Sequence, residues 1–396
     1  MARKASRITR IRFVASLGLL ILAMMPLACG GGGGGGYDFS NLTITWAVAV
    51  SDLNGDGLAD IAATSAFGYD WDGFVSIFLQ DPAHPGSFLP VRRHAVSSDP
   101  IFVGIGDLNG DGLPDLVTAN ARASNISILF QRTGSPGDFL SAQAIGTGSH
   151  PNGVAIGRVN GDALPDLAVA DLGLSLFLQD AGAPATFLAR ISLGLGSTAS
   201  VAIGDLNGDG LGDLAVVGGG KVQVLLQDPA APGTYRPPVE LAAGLQPGFV
   251  AIADLNADGR FDLVVTNSAS NTVSVLLQDA TAPGTFLPAT NLPVAGGPYM
   301  VAVGDLDGDG KPDLAVADDQ GRAISVLLQD ASRPGQFLPA TNYQVESGTF
   351  SVAIGDLNED GRADLAAAIS NGVAIFLQDP SRPGTFLPTK ILEIIH

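Results

Sequence analysis

The sequence predicts an all-β protein, a seven-bladed β-propeller of four-stranded antiparallel blades, because three markers recur about every fifty residues. The first is an acidic nonapeptide such as DLNGDGLPD (107–115), whose copies begin at Asp52, Asp107, Arg158, Asp205, Asp254, Asp305 and Asp356. The second is Pro-x-x-Phe or Pro-x-x-Tyr, whose aromatic residues are Phe88, Phe139, Phe187, Tyr235, Phe286, Phe337 and Phe386. The third is a glutamine at Gln80, Gln131, Gln179, Gln227, Gln278, Gln329 and Gln378.

Residues 298–346 show how one unit divides into elements. YMVAVGD predicts a first strand, LDGDGKP a loop, DLAVAD a second strand, DQGR a turn and AISVLLQ a third strand. DASRPG predicts another turn, because Pro and Gly end strands, and QFLPATNYQV predicts a more polar fourth strand. Four short strands per unit are typical of a propeller blade. The small residues of the first strand fit the crowded axis of a ring, and the polar fourth strand fits its rim.

Seven such units account for residues 45–396. We place the blades at 45–97, 98–148, 149–196, 197–245, 246–296, 297–346 and 347–396. The main alternative is a linear stack, which needs capping units at its ends, whereas the first and last copies here are as regular as the others. The closure of the ring stays open at this point. FSNLTIT (39–45) could pair beside the last blade, but FLPTKILEII (386–395) already has the pattern of a fourth strand.

The N-terminal segment predicts export. Basic residues precede an apolar run at 13–28, which is shorter than the roughly 20 residues of a membrane span and fits a signal peptide at 1–28. Cys29 follows directly, so the segment resembles a bacterial lipoprotein signal whose cysteine becomes lipidated. Residues 29–44 would then be the lipidated Cys and a Gly-rich tether. We expect a lipid-anchored protein of the bacterial cell envelope, at the outer membrane or cell surface, with secretion as the alternative.

The charge of the chain excludes two classes of partner. Its 20 Lys and Arg residues face 39 Asp and Glu residues, for a formal net charge of −19. Nucleic acid and anionic lipid both bind through positive charge. We therefore expect no nucleic-acid partner, and contact with a membrane only through the lipid anchor. The single cysteine also excludes an intramolecular disulfide framework.

The nonapeptide has the chemistry of a calcium loop. Positions 1, 3 and 5 place side-chain oxygens on one side of the loop, position 7 offers its backbone carbonyl, and position 9 adds a carboxylate. Glycine at position 6 allows a sharp turn at positive φ. Calcium prefers six to eight such oxygen ligands. An EF-hand would need Glu at position 12, where this chain has Ala, Thr or Val. We therefore predict a calcium hairpin between two strands.

Six copies are complete, and we expect about six bound calcium ions. The ligands, with position 7 acting through its carbonyl, are Asp52, Asn54, Asp56, Leu58 and Asp60; Asp107, Asn109, Asp111, Leu113 and Asp115; Asp205, Asn207, Asp209, Leu211 and Asp213; Asp254, Asn256, Asp258, Arg260 and Asp262; Asp305, Asp307, Asp309, Lys311 and Asp313; and Asp356, Asn358, Asp360, Arg362 and Asp364. The alternative is a set of Asx-turns, in which the carboxylates cap local backbone N–H groups without a metal.

The third copy, RVNGDALPD (158–166), departs from the pattern twice. Arg158 replaces the first carboxylate, and Ala163 replaces the glycine at position 6. We predict that this loop is metal-free and that the Arg158 guanidinium acts as a built-in cation by pairing with Asp162 or Asp166.

Together with the VAIGD-type strands before them, the nonapeptides resemble FG-GAP/VCBS repeats, the family that builds the propeller of the integrin α-subunit. The resemblance covers nearly all of the chain after the predicted signal. It rests on the pattern Asp-x-Asp/Asn-x-Asp-Gly-x-x-Asp. It implies an integrin-like ring with calcium hairpins at the positions given above.

We expect a binding module, monomeric, that serves as a surface adhesion or scaffold module for a protein or glycan. The sequence has no nucleophile elbow, phosphate loop or metal-spaced pair of histidines. The alternative is a carbohydrate-active enzyme, a polysaccharide lyase or hydrolase, that uses acidic residues of the central channel.

The ligand-binding candidates are Tyr69, Asp70, Trp71 and Asp72. They lie in the connection FGYDWDG (67–73), the longest of its kind, and exposed aromatic residues beside acids are typical of binding hot spots. The alternative for Trp71 is packing onto the neighbouring blade. Five aromatic residues recur before the first strands, and we interpret them as packing residues: Trp46, Phe102, Phe249, Tyr299 and Phe350.

Overall fold

The computed structural model describes residues 43–68, 70–387 and 390–394, and these residues form seven four-stranded antiparallel sheets. The strands of each sheet follow one another in chain order, so each blade is one continuous stretch of chain. The predicted all-β, seven-bladed propeller is therefore confirmed. Within these residues, no helix is long and apolar enough to cross a membrane. The predicted signal peptide, Cys29 and Tyr69 lie outside the described residues.

The first four blades have the following strands. Blade 1 contains β1 (Thr43–Ser51), β2 (Asp60–Phe67), β3 (Asp72–Phe78) and β4 (Arg92–Val96). Blade 2 contains β5 (Pro100–Gly106), β6 (Asp115–Asn120), β7 (Asn125–Leu129) and β8 (Gln143–Gly146). Blade 3 contains β9 (Gly153–Gly157), β10 (Asp166–Ala170), β11 (Ser175–Phe177) and β12 (Ile191–Ser192). Blade 4 contains β13 (Thr198–Gly204), β14 (Asp213–Gly218), β15 (Lys221–Leu225) and β16 (Val239–Leu241).

The last three blades repeat this order. Blade 5 contains β17 (Pro247–Ala253), β18 (Asp262–Asn267), β19 (Thr272–Leu276) and β20 (Thr290–Pro293). Blade 6 contains β21 (Pro298–Gly304), β22 (Asp313–Asp318), β23 (Ala323–Leu327) and β24 (Thr341–Gln344). Blade 7 contains β25 (Val352–Gly355), β26 (Asp364–Ile369), β27 (Gly372–Phe376) and β28 (Lys390–Glu393).

The first strand of every blade lies at the axis of the ring. Each first strand contacts the first strand of the next blade, and β25 contacts β1. Small residues make this approach possible. A Cβ added to Gly106 would lie 3.1 Å from Ile156 of the next blade, and one added to Gly304 would lie 3.1 Å from Ile354. At these two positions the absence of a side chain lets the neighbouring blade approach closely, whereas Ser51 and Ala253 occupy the equivalent position in blades 1 and 5.

The hydrophobic core is divided among the interfaces between blades. Seven clusters of buried apolar side chains are found in the described chain, and each joins one blade to its neighbour. The middle strands are buried on both faces, as in β6 and β22. Within the described residues the core is therefore continuous around the ring.

The ring closes without exchange of strands. β1 pairs with β2 in blade 1, and β28 is the fourth strand of blade 7. The joint between blades 7 and 1 is formed by packing of residues such as Val48 against Leu357, and by a hydrogen bond of 3.2 Å from the Val48 N–H to Ser351 Oγ. The question that the sequence left open is thus answered, because each end of the described chain completes its own blade.

Candidate metal centre

Each nonapeptide forms the hairpin loop between the first and second strands of its blade. In the first loop, Gly57 at position 6 has a φ of 89°, as the turn requires. Position 4 also lies at positive φ in every loop, including Ala257 at 57° and Glu359 at 62°, and the sequence reasoning did not single it out. These two turns fold the loop back on itself and bring positions 1 and 9 to the base of the hairpin.

The carboxylate at position 1 holds the loop together. The Gly55 N–H donates to Asp52 Oδ1 at 2.7 Å, and the Gly57 N–H donates to Asp52 Oδ2 at 2.8 Å. These are the contacts of the Asx-turn alternative. They do not exclude a metal. Asp52 Oδ1 also accepts from the Asn54 N–H at 3.2 Å, but Oδ2 accepts from one N–H and keeps a lone pair for a cation.

The carboxylate at position 9 is buried and bonded in all seven loops. The Leu53 N–H donates to Asp60 Oδ2 at 2.9 Å, and the Gln80 N–H donates to Asp60 Oδ1 at 2.7 Å. The third loop, which lacks the first carboxylate, keeps both bonds at Asp166. Position 9 therefore has a structural role that does not depend on a metal, and the sequence reasoning missed it.

Burial shifts the titration of this carboxylate. Burial raises the pKa of Asp60 to about 6. The hydrogen bonds from the two backbone N–H groups lower this pKa, and the negative charges of Asp56 and Asp52 raise it. The pKa is raised to about 6 for the same reasons at Asp115, Asp213, Asp262, Asp313 and Asp364. The loop thus concentrates negative charge in a partly desolvated place, which a bound cation would stabilise.

The sixth loop brings three carboxylates together. One oxygen from each of Asp305, Asp307 and Asp313 lies within 4.8 Å of the other two. Two oxygens bound to one calcium ion at 2.3–2.6 Å can be at most about 5 Å apart, so this group fits calcium. In the described part of the chain no other loop places three acidic side chains this close, and position 3 is Asn in the other five complete loops.

Position 5 is not part of this group. Asp309 Oδ2 accepts from Lys311 Nζ at 2.5 Å, and Asp258 and Asp360 likewise pair with the cation at position 7. In the first, second and fourth loops the position-5 carboxylate accepts from the Asn amide at position 3, at 3.0 to 3.1 Å. These are contacts near the surface, where ion pairs and hydrogen bonds contribute little to stability, so position 5 can turn toward a cation at little cost.

The third loop is built differently, and one expectation for it is wrong. Arg158 is exposed and forms no ion pair with Asp162 or Asp166 in the described structure. Asp166 is occupied by two backbone N–H groups, and Asp162 accepts from the Asn160 amide and the Leu164 N–H. Ala163 also lies outside the positive-φ region that position 6 adopts in the other loops.

The opposite face carries an aromatic cluster at the entry to the first strands. Trp71 stacks on Trp46 of its own blade, with ring centroids 6.3 Å apart, and Trp46 contacts Phe350 of blade 7 at 5.1 Å. Trp46 is 3% exposed, in keeping with a packing role, whereas Trp71 is half-buried at a φ of 57°. Asp70 and Asp72 on either side of Trp71 are exposed. Packing of Trp71 is therefore partial.

A comparison with protein-family models finds a match over most of the described chain. The family model for the FG-GAP-like repeat matches residues 52–118, 107–169, 205–265, 254–316 and 305–367. Each matched stretch begins at position 1 of a complete loop and runs into the second strand of the next blade.

Among curated proteins, integrin alpha-7 of Rattus norvegicus and integrin alpha-7 of Mus musculus are each 28% identical to this chain over 142 residues. The aligned stretch covers 32% of this chain and 12% of each integrin, so the chain spans only a small part of the length of these relatives.

Solved structures share the fold. A protein from Lactobacillus plantarum aligns with a TM-score of 0.54 at 13% identity, over 89% of this chain and 96% of that one. BBS1N, crystallised in complex with ARL6DN, aligns with a TM-score of 0.54 at 15% identity, over 87% of this chain and 95% of that one. A functionally unknown protein from Desulfotomaculum acetoxidans aligns with a TM-score of 0.51 at 14% identity, over 88% of this chain and 95% of that one.

Proposed function

The chain belongs to the FG-GAP-like repeat family, and on this premise we propose that it is a calcium-stabilised propeller that serves as a binding or scaffold module for a protein or glycan. The observation that carries the proposal is the convergence of Asp305, Asp307 and Asp313 in one of six complete loops. Three carboxylates in this arrangement repel one another unless a cation lies between them. The other five loops have the same length and the same hydrogen bonds at position 9.

In each complete loop, positions 1, 3, 5 and 9 and the position-7 carbonyl would hold the ion. Calcium supplies charge neutralisation and a fixed geometry. The chain's own contribution is the positive-φ turn at positions 4 and 6 and the two backbone N–H groups that orient the position-9 carboxylate. Extracellular calcium modules have dissociation constants near 10⁻⁴ M or weaker, so about 1 mM calcium would stabilise each site by about 1.4 kcal/mol at the tighter end.

Thermal unfolding in calcium and in chelator tests this proposal. Six sites would together add roughly 8 kcal/mol, comparable to the net stability of an ordinary domain. We expect the melting temperature in chelator to fall by roughly 10 °C or more. Magnesium at the same concentration is the control, because it demands a smaller octahedral site. Identical melts in calcium and chelator would contradict the proposal.

We place the ligand on the face opposite the calcium loops. Trp71 offers a partly exposed ring between Asp70 and Asp72, and Tyr69 precedes them in the sequence. In a glycan array and a screen of surface proteins, both in calcium, Trp71→Ala should weaken binding of any ligand found by at least about tenfold. The control is Phe261→Ala, which removes an exposed aromatic residue from the calcium face. Equal binding by the two variants would contradict this placement.

The second candidate is a carbohydrate-active enzyme. It is favoured by Asp99, which lies beside the aromatic cluster and whose pKa burial raises to about 6, against the lowering effects of Arg122, Trp46 and His150. A carboxyl group with such a pKa suits general acid–base work near neutrality. Incubation with polysaccharides and analysis of the products separates the two candidates, because released oligosaccharide would overturn the binding-module proposal.

We propose a location in the bacterial cell envelope, with the propeller anchored through a lipid on Cys29. The proposal rests on the basic and apolar segment before Cys29 and on the Gly-rich stretch after it. Replacing Cys29 by Ser should move the protein from the membrane fraction to the soluble fraction. An unchanged membrane fraction would contradict lipid anchoring, and export in soluble form would support the alternative of secretion.

A further inference from the structure

The glutamine that recurs once per blade links each calcium loop to the loop of the preceding blade. In blade 6, Gln329 Nε2 donates to the Leu255 carbonyl at position 2 of the fifth loop, at 2.8 Å. The same amide donates to the Pro312 carbonyl of its own loop at 2.9 Å. Gln329 is 4% exposed, so both bonds are shielded from water.

The link recurs around the ring. The bond to the position-2 carbonyl of the preceding blade joins Gln131 to Leu53 at 2.8 Å, Gln227 to Val159 at 2.9 Å, Gln278 to Leu206 at 2.8 Å and Gln378 to Leu306 at 2.7 Å, and it also joins Gln179 to Leu108. Only the joint between blades 7 and 1 departs from this pattern in the described chain. There Gln80 reaches the Asp356 carbonyl at position 1, at the longer distance of 3.5 Å.

These bonds form a continuous path between the position-9 carboxylates. The Leu255 N–H donates to Asp262 in its own loop at 2.9 Å, while the Leu255 carbonyl accepts from Gln329. The Gln329 N–H in turn donates to Asp313 of the sixth loop at 2.7 Å. One residue and one glutamine therefore connect two neighbouring metal-binding carboxylates.

We call these links between neighbouring blades the glutamine belt. We propose that the glutamine belt couples the loops, so that calcium bound at one loop raises the affinity of the neighbouring loop for calcium. The inference rests on the proposed calcium binding and goes beyond it. An ion held by positions 1 and 9 fixes the backbone at position 2. The glutamine that binds the position-2 carbonyl is then also fixed, and its N–H orients the position-9 carboxylate of the next loop. The second ion then binds a loop that is already ordered and loses less conformational entropy. The glutamines are positioning residues in this scheme, since they do not touch the ion.

The third loop shows that the glutamine link does not depend on a complete metal loop. The hydrogen bonds of Val159, Asp166 and Gln179 are present in blade 3, although Arg158 replaces the first carboxylate of its loop. The tightly linked run of metal loops is therefore the fourth to the seventh. Gln329 lies in the middle of that run, between the fifth and sixth loops, whereas Gln227 joins the third loop to the fourth.

Gln329→Leu removes the amide from the middle of the run and keeps a similar side-chain volume. The matched control is Gln227→Leu, which removes equivalent bonds of 2.9 and 2.9 Å beside the loop predicted to be metal-free. Tyr235 also donates to the Gly212 carbonyl at 3.2 Å, where blade 6 has Phe337, so the control should carry Tyr235→Phe as well. The two variants then have the same residues at these two positions of the blade and differ in whether metal loops lie on both sides.

Native mass spectrometry of the full protein across a calcium titration resolves each stoichiometry. For six independent sites at half saturation, roughly a third of the molecules would carry three ions, whereas coupling depletes such partly loaded species. We expect depletion in the unmodified protein and in the control, and at least a twofold rise of partly loaded species in Gln329→Leu.

Three outcomes would contradict the proposed coupling through the glutamine belt. An unmodified protein that binds calcium with the distribution of independent sites contradicts the coupling alone and leaves the proposed function standing. Equal changes in Gln329→Leu and in the control contradict the assignment of coupling to this link. An unmodified protein that binds no calcium contradicts the proposed function and the belt together.

Discussion

The buried residue Asp318 can be compared with the residue at the same position of the preceding blade. It ends β22, is fully buried, and accepts from Ser325 Oγ at 2.6 Å. The equivalent residue of blade 5 is Asn267, whose amide donates to Ser274 Oγ at 2.9 Å. In blade 5 the Ser274 hydroxyl accepts from Asn267 and so can donate its one proton to Asn291 of the fourth strand, whereas Ser325 has two acceptors, Asp318 and Asn342, for one proton. An Asn at 318 would therefore satisfy the same network without a charge.

We expect Asp318→Asn to stabilise the protein at neutral pH. Burial raises the pKa of Asp318 to about 6, so the stability that protonation provides is complete below about pH 4 and is lost as the pH rises through 6. The variant should gain up to about 3 kcal/mol at pH 8 and nothing at pH 4. Urea unfolding at the two pH values, at constant calcium, measures the difference. A variant that is less stable at pH 8 would contradict this account of the network.

The residue scale also shows why the sequence could not reveal the whole site. The pattern places oxygen ligands at positions 1, 3, 5 and 9, but it does not say which carboxylates backbone N–H groups already occupy. At position 9 two buried N–H groups use the carboxylate in every loop. The failed pairing of Arg158 has the same cause, because the carboxylates that it was expected to meet had other partners.

At the scale of the element, the conformation of the hairpin loop depends on positive φ at positions 4 and 6 and on the carboxylate at position 1. The third loop keeps the turn at Gly161, with a φ of 81°, but lacks the other turn and the carboxylate. Arg158→Asp with Ala163→Gly restores both, and we expect the variant to bind one more calcium ion than the unmodified protein. Metal counting by native mass spectrometry checks this. Arg158→Asp alone is the control, and an unchanged count in the double variant would contradict the loop rule.

The strands were more predictable than the loops' internal contacts. Runs of β-branched and small apolar residues bounded by acidic or Pro-Gly turns gave the four strands of blade 6, and β21 to β24 lie within the predicted unit. This worked because the strand pattern is local and repeated. The pairing of β1 with β2 and not with the last blade depends on contacts between residues about 300 positions apart, such as Ser351 with Val48, and no local pattern encodes them.

At the scale of the whole molecule, we expect the joint between blades 7 and 1 to be the weakest of the ring. The peptide chain continues across every other joint, and the glutamine bond at this joint is the longest. Two cavities lie at this joint, one of them about 590 Å³ in volume and lined by Thr43, Glu346 and Glu393 among others. The ring is therefore expected to open here first.

Hydrogen exchange tests this expectation at two equivalent amides. The Val48 N–H donates to Ser351 Oγ across the joint of blades 7 and 1 at 3.2 Å, and the Val250 N–H donates to Ser200 Oγ across the joint of blades 4 and 5 at 3.3 Å. Since local opening depends on the contacts around an amide, Val48 should exchange faster, by roughly tenfold or more. Equal protection of the two amides would contradict a weak joint.

The central claim is that six of the seven loops hold calcium and thereby stabilise the ring. Native mass spectrometry of the purified protein in about 1 mM calcium measures it most directly, because extracellular calcium sites are filled in this range. We predict six ions per chain, all removed by chelator. A protein that keeps its seven blades and carries no calcium would contradict the claim, and the acidic loops would then have to be explained by their hydrogen bonds alone.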